Sequence, residues 1–519
     1  MFKSKSFWLI VLGVFIFNAL FWCEKSGINT LIFTLFTVIG WAVQSPQIFR
    51  RWQTKTTVIL TIISAIFVTW HNSYFSIIIF YLSFLVMIGY AQHEELQTAY
   101  SGLLQSMIDF IVVPHTILTN LKRSSGIPKY YFRALAHLRY ALISIIILPF
   151  FLVLYLIANQ DFASNFDKLM HLLYTFVFAW IFELSFARIF FLGFAFVVMV
   201  VLFLRSQNRA FTNAEQDATN DLVRQKPTYK YQFAMLALRD EYRVGAVLLV
   251  GLNLLLLLVN LTDIQHVWLA DYTNLTYAEL REFLHDGTYT LIFSILLAMT
   301  IIVYFFRGKL NFYSKNQLLK TLAYIWIGQN ALLAASVLMR NMQYINSFGL
   351  AYKRIGVLIF LILIIIGLAT MVQKVAQRKS FFYLLNANSW ATYIVLVFAT
   401  CIGWDIYITN YNLKFKEVDF IFLVQDVSDK NIPLLWQQRN RLKDSDTEQF
   451  KQKLDLFVMK KYKEAAQHSF PSWNLADAEQ TQFWHQNTTA ISAYLGAHRP
   501  QINTEEINTQ ESNTEEISN

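Results

Sequence analysis

Apolar runs of close to twenty residues recur along this chain from residue 7 to residue 409. A helix of roughly 20 apolar residues is what crosses the hydrocarbon core of a bilayer. In lipid only elements that satisfy their own backbone hydrogen bonds persist, so such runs are helices. The chain is 55% apolar and only 15% charged, where soluble globular proteins carry about 25% charged residues. The expected fold is therefore all-α, a polytopic helical membrane bundle.

The runs resolve into eleven spans, at about 7–22, 28–44, 56–70, 73–91, 138–158, 188–204, 243–261, 287–306, 319–339, 355–373 and 387–408. The third is short and is separated from the fourth only by His71-Asn72, so a re-entrant course is an alternative for it. The N-terminal Met-Phe-Lys-Ser-Lys and the run Phe7–Trp22 have the charged and apolar parts of a signal peptide. No small-residue cleavage site follows, and the segment reads as an uncleaved first helix.

Lysine and arginine set the orientation. With the N-terminus inside, most of the 43 cations fall in inner loops. Only Lys25, Lys168, Arg188, Arg281, Arg340, Lys353 and Arg354 fall in outer ones before residue 410. An odd number of spans then puts the C-terminal tail outside. Two further segments, Leu103–Leu121 and Leu169–Phe186, would raise the count to thirteen. Counting both as spans would move Lys122, Arg123, Lys129 and Arg133 outside, against the charge rule. Interfacial helices on the inner and outer surfaces fit better.

Three regions follow: a transmembrane domain over 1–410, a small helical extracytoplasmic region over 411–497, and a tail over 498–519. In the second, Ser445-Asp-Thr-Glu448 has the form of a capping box. Phe450, Leu454, Phe457 and Val458 behind it share a helical face, and Asn474 is placed to cap a last helix. The tail, with NTEE, NTQE and NTEE every five residues, has too little apolar content to fold and is expected to be disordered.

The net charge of +9 belongs to loops that meet lipid headgroups, so the bilayer is the expected partner and nucleic acid is not. Cys23 and Cys401 form no framework. There is no Walker A loop, no HExxH and no GxSxG. No catalytic residue, metal or cofactor is expected. A third class, a membrane transferase acting at the outer face, would need acidic residues in a long first outer loop. That loop, Cys23–Gly27, offers only Glu24.

Two groups of residues carry the functional expectation. Gln329 and Asn330 lie mid-span beside a small-residue stripe of Gly328, Ala331 and Ala335. They are either interhelical packing contacts or part of a polar path through the bundle. At the outer ends of the last spans, Glu279, His285, Asp286, Arg340, Tyr344, Arg354 and Asp405 fall at one depth. Reciprocal ion pairs could lock these ends. Alternatively the arginine forks could hold a phosphate or carboxylate, with His285 titrating near neutrality. Gly349, after a helix end at Asn346-Ser347-Phe348, would allow the chain to reverse there.

The stretches "YAELREFLHDGTYTLIFSILLA", "RNMQYINSFGLAYKRIGVLIFL", "NANSW" and "WDIYITNYNL" followed by "VDFIFL" resemble a bacterial polytopic family catalogued as domain of unknown function 4173, the sister of 4153. The likeness is clearest over about residues 270–425 and extends through most of the membrane part, where the patterns are only hydropathic. It runs through Glu279, His285, Gly287, Tyr289, Asn330, Arg340, Tyr344, Phe348, Gly349, Leu350, Arg354, Asn388, Asp405, Asn412 and Asp419. The resemblance implies architecture and a bacterial cytoplasmic membrane, and no chemistry. The expected function is that of a non-enzymatic scaffold, sensor or accessory subunit of the bacterial envelope. Its helical tail would contact an envelope protein. The alternative is a permease or lipid-handling transporter.

Overall fold

A computed structural model describes residues 4–124, 152, 155–156, 158–173, 185–204, 211–224, 234–269, 288–414, 420–438 and 469–497. Among these the chain is helical, apart from one isolated bridge between Asp221 and Lys379. The helices are α1 (Ser4–Phe21), α2 (Ile28–Gln44), α3 (Trp52–His71), α4 (Tyr74–Gln92), α5 (Ala99–Ser124), α6 (Gln160–Leu173) and α7 (Phe186–Phe203). They continue as α8 (Ala234–Asp263), α9 (Thr288–Phe305), α10 (Gln317–Phe348), α11 (Tyr352–Gln377) and α12 (Phe381–Ala399). The last four are α13 (Trp404–Asn412), α14 (Phe420–Gln425), α15 (Ile432–Gln438) and α16 (Leu475–Ala497). Among the described residues six helices are long and apolar enough to cross a membrane: Trp52–His71, Tyr74–Gln92, Leu238–Trp268, Gln317–Phe348, Tyr352–Gln377 and Phe381–Ala399.

The burial pattern is the reverse of a soluble bundle's. Phe15, Ile39, Ile59, Val247, Phe293 and Ile365 stand exposed, while Thr30, Thr34, Thr37, Thr57, Thr61 and Ser83 are buried. Each of these hydroxyls is hydrogen-bonded within the protein; Thr34, for example, donates to the Thr30 carbonyl and Thr37 to that of Phe33. Apolar exteriors over satisfied polar interiors are what a lipid solvent selects. α5 shows it most plainly: it buries Ser101, Gln105, Ser106 and Asp109 and exposes Leu104, Met107 and Ile111.

Two packed groups make up the bundle. In the first, α1–α4 and α7 share a core around Trp41, Phe84 and Met199. α1 and α7 run antiparallel, since Phe17 meets Phe191 at 5.4 Å and Gly13 lies against Met199. In the second, α8–α11 surround Trp326 and Leu333. α12 joins the two. On one side its Tyr393 hydroxyl lies 2.7 Å from that of Ser83 and its Trp390 indole donates to the Gln97 carbonyl. On the other, Asn388 Nδ2 donates to Thr370 at 3.1 Å.

Where residues are described the expected spans fall on helices, apart from one break in the last, with three shifts at their ends. α8 begins at Ala234, α10 continues to Phe348 and α12 begins at Phe381. These helices extend into polar sequence because their ends are amphipathic, and hydropathy alone sees only the apolar middle. The expected last span, 387–408, is instead α12 followed by a break at Thr400–Gly403 and then α13. Since α13 crosses residue 410, a core of Ile345, Leu350, Ile355, Ile408, Leu435 and Trp484 links the α10–α11 turn with the tail. Asn474 does cap α16, accepting from the Asp477 amide at 2.9 Å. α16 runs beyond the expected Trp484 to Ala497. Residues 445–458 and 498–519, most of 138–158 and the second half of 169–186 lie outside the described residues.

α4 and α5 cross at Gly89 and Gly102, where a Cβ on Gly89 would lie 2.1 Å from the Gly102 carbonyl oxygen. Backbone cannot yield as a side-chain end can. Gly89→Ala should therefore destabilise the fold by about 1–3 kcal/mol, read as a lower unfolding midpoint in detergent. The same change at helical Gly328, which has open space around it, should be neutral or stabilising by up to about 1 kcal/mol.

Candidate functional site

α8 and α10 are both long and lie side by side. Asn260 reaches residue 329, Asn253 reaches residues 322 and 329, and Asp263 reaches Arg340. Both sequences advance together through these contacts, so the helices are parallel. Along their seam the polar residues recur nearly every second turn. Asn253 Nδ2 donates to the Leu249 and Leu322 carbonyls at 2.7 and 3.1 Å. Gln329 Nε2 donates to Asn253 Oδ1 at 2.9 Å, and Asn260 Nδ2 to the Gln329 carbonyl at 3.1 Å. Of the two expected intramembrane residues, Gln329 thus joins the seam. Asn330 does not; it turns back on the Trp326 carbonyl at 2.8 Å.

The tail-bearing end of the seam is closed by charge. Arg340 and Asp263 lie 2.5 Å apart, with side chains only 12% and 7% exposed. Burial on that scale makes the pair interdependent: either partner alone would leave an uncompensated charge. One turn later Trp268 donates to Ser336 at 3.0 Å.

α10 ends at Phe348, and Gly349 takes a φ of 77°. A side chain there would be strained and would also strike Asn412 Oδ1 at 2.4 Å. That contact has a function. Asn412 accepts from the Leu350 amide at 2.6 Å and donates to the Leu350 carbonyl at 2.9 Å, pairing with the turn as a strand would. Arg354 donates to the carbonyls of Phe348 (2.8 Å) and Gly349 at the end of α10. Its guanidinium lies 4.2 Å from the Tyr344 ring. Cation–π stacking and capping of helix carbonyls both favour arginine here.

The expected cluster is therefore divided. Tyr344 and Arg354 come together, and Arg340 pairs with Asp263. Asp405 is held by the Tyr352 hydroxyl and by the hydroxyl and amide of Ser428, not by an arginine. Glu279, His285 and Asp286 lie outside the described residues. Burial pushes the Asp405 carboxyl above the usual carboxylate range, against the Ser428 hydrogen bonds and the nearby Lys430. No group of three His, Cys, Asp or Glu that could hold a metal ion occurs among the described residues.

Two buried polar contacts at the opposite end were not read from sequence. His93 Nε2 and Asp109 Oδ2 lie 2.7 Å apart, 4% and 0% exposed, and Gln105 donates to the same carboxylate at 3.1 Å. Glu215 accepts from the amides of Gln97 and Thr98 and from the Thr98 hydroxyl, closing the start of α5. Both join residues across a helix break or a long loop, where no spacing rule applies.

Arg340→Ala or Asp263→Ala should each lower stability by about 3–5 kcal/mol. The double variant should lose less than the sum, which a double-mutant cycle in detergent reads directly. Asp405 adds a pH dependence. Its raised folded pKa means that its contribution to stability is full below the unfolded value and is lost as pH rises through the folded one. Unfolding midpoints should fall as pH rises from the ordinary carboxylate range upward. Asp405→Asn should flatten that slope.

No curated protein and no solved structure matches this chain. The family match is to the one named above as the sister, and it reaches well beyond residues 270–425. A model described as Domain of unknown function (DUF4153) matches residues 6–437, and the chain is a membrane protein that belongs to that family.

Proposed function

We propose that this protein is a non-enzymatic scaffold, sensor or accessory subunit of a bacterial cytoplasmic membrane. It has eleven spans, its N-terminus inside, and its helical tail folded over the outer ends of the bundle. The observation that carries this reading is how the tail is tied down. The Lys25 amide donates to Ser472 Oγ and the Ile28 amide to the Trp473 carbonyl, each at 2.8 Å. The Glu24 carboxylate accepts from Ser469 and Ser472. On the other flank Lys430 pairs with Asp477, and Gln480 donates to the Asp429 carbonyl at 2.8 Å.

These contacts join the α1–α2 loop in the first group of helices to the segment that follows α13. α16 thus spans both groups and buries Trp484 to 1% exposure. Its outward side carries the exposed Glu479, Gln482, His485 and Gln486, a polar face suited to water and to a polar protein contact. A cap of this kind supports holding or sensing, since it couples both groups of helices to one external surface. The amides along α8 and α10 support a second reading, a permease or lipid-handling transporter.

Topology and cap are testable together. In a variant with Cys23 and Cys401 replaced by serine, a single cysteine at Gln486 should react with an impermeant thiol reagent in intact spheroplasts. Protection until lysis would refute the eleven-span reading. Glu24→Ala with Lys430→Ala should free the tail and increase protease cleavage around residue 470 several-fold. An unchanged cleavage rate would refute the tied cap.

A further inference from the structure

Among the side chains described beyond residue 410, only Phe470 and Trp473 are large, apolar and exposed, at 70% and 42%. They flank a single 3-10 turn, Phe470–Ser472, that precedes α16. Further along, the outward residues Glu479, Gln482, His485 and Gln486 are polar. Bare rings are disfavoured in water, because apolar surface is more stable away from it. Their position in the fold supplies a different solvent.

The turn sits directly on the ends of membrane helices. The Ile28 amide, at the first residue of α2, donates to the Trp473 carbonyl, and the Lys25 amide donates to Ser472. A Cβ on Gly27 would lie 2.6 Å from the carbonyl oxygens of both Ser472 and Trp473, so the two backbones touch. Asn72, between α3 and α4, in turn donates to the Ser26 carbonyl at 2.8 Å. Two more exposed rings stand on either side of Asn72, Trp70 in the last turn of α3 and Tyr74 at the start of α4. Each ends a stripe of exposed apolar residues at helical spacing: Ile59, Ile66 and Trp70 on α3, and Tyr74, Ile78 and Tyr81 on α4. Both helices are long and apolar enough to cross a membrane, so these stripes face acyl chains. Trp70 and Tyr74 then mark the edge of the hydrocarbon, the level at which amphipathic rings collect. On the neighbouring loop the Arg188 guanidinium lies 5.7 Å from the Trp22 ring, and Trp beside Arg is a usual anchor at that level.

We propose that Phe470 and Trp473 bind the phospholipid bilayer, seating the turn before α16 in the boundary between headgroups and acyl chains at the tail-bearing end. With Trp70 and Tyr74 they form one aromatic belt, built by connections far apart in sequence. The cap is then held twice, by hydrogen bonds to the α1–α2 loop and by lipid. Lipid contact here needs the tied cap but no particular side of the membrane. It can therefore fail while the tail contacts and the eleven-span reading both stand.

The test uses the full chain in vesicles of phosphatidylethanolamine and phosphatidylglycerol, doped with a phospholipid that carries a photoreactive group near its glycerol. After irradiation, fragmentation mapping should find label on Phe470 or Trp473 at several-fold the level on Gln482–Gln486. Equal labelling of the two regions, or none over 470–473, would overturn the contact. A second measurement places a nitroxide at Phe470→Cys or Gln486→Cys, with Cys23 and Cys401 replaced by serine. Oxygen and a water-soluble nickel chelate, present on both sides of the vesicles, relax the label. The ratio of oxygen to nickel effect should be several-fold higher at 470 than at 486. An equal ratio would overturn the proposal and leave the rings in water. Shielding of 470 from both reagents would also overturn it, with a second copy of the chain covering the patch instead. If the cysteine variant fails to fold, photolabelling of the unaltered protein decides.

Discussion

A polar group in the middle of a bilayer must find its partner within the protein. Much of this architecture follows from that requirement. The threonines of α2 turn back onto their own helix, Thr61 of α3 reaches Ser83 of α4, the amides of α8 and α10 cross to each other, and Tyr393 finds Ser83 across the two groups of helices. In water these groups would be indifferent to partner. In lipid each contact selects a neighbour and a rotation, so polar residues define an interface that apolar packing alone would leave loose.

The sequence makes the apolar part legible because a bilayer imposes one length and one solvent. Hydropathy places α2 within a residue of its observed ends and finds α4 and α9 equally well. It misplaces the starts of α8 and α12, where a helix outlasts its apolar core, and it runs across the break at Thr400–Gly403. The turn at Gly349 was also legible, since a glycine after a helix end between two apolar runs has few other uses. What closes that turn was not. Asn412 lies 62 positions from Leu350, and no local rule connects them.

Charge shows the same division. Three cations around one turn, Arg340, Lys353 and Arg354, signal that something there must balance them. Sequence offers Glu279, Asp286 and Asp405 as partners, and none of them is the one that Arg340 meets. Asp263 emerges as Arg340's partner because α8 and α10 run parallel, which brings two ends together that are 77 positions apart. Arg354 finds its place by another route, on helix carbonyls and an aromatic ring. The tail makes a third case. α16 lies beyond the stretch matched by the family model, which ends at residue 437. It nevertheless packs into the core shared by α10, α11 and α13.

The seam between α8 and α10 has a property that its individual contacts do not reveal. Asn253 and Asn260 are seven positions apart, as are Leu322, Gln329 and Ser336. A slide of one helix along the other by two turns would set Asn260 against Ser336, with hydrogen bonds still available to it. The amide ladder is thus nearly blind to its own register, like a ruler with graduations and no numerals. The Asp263–Arg340 pair supplies the missing zero mark. It is the one rung in the ladder that tolerates no other partner at that depth, and so it turns a repeating adhesive into a single alignment.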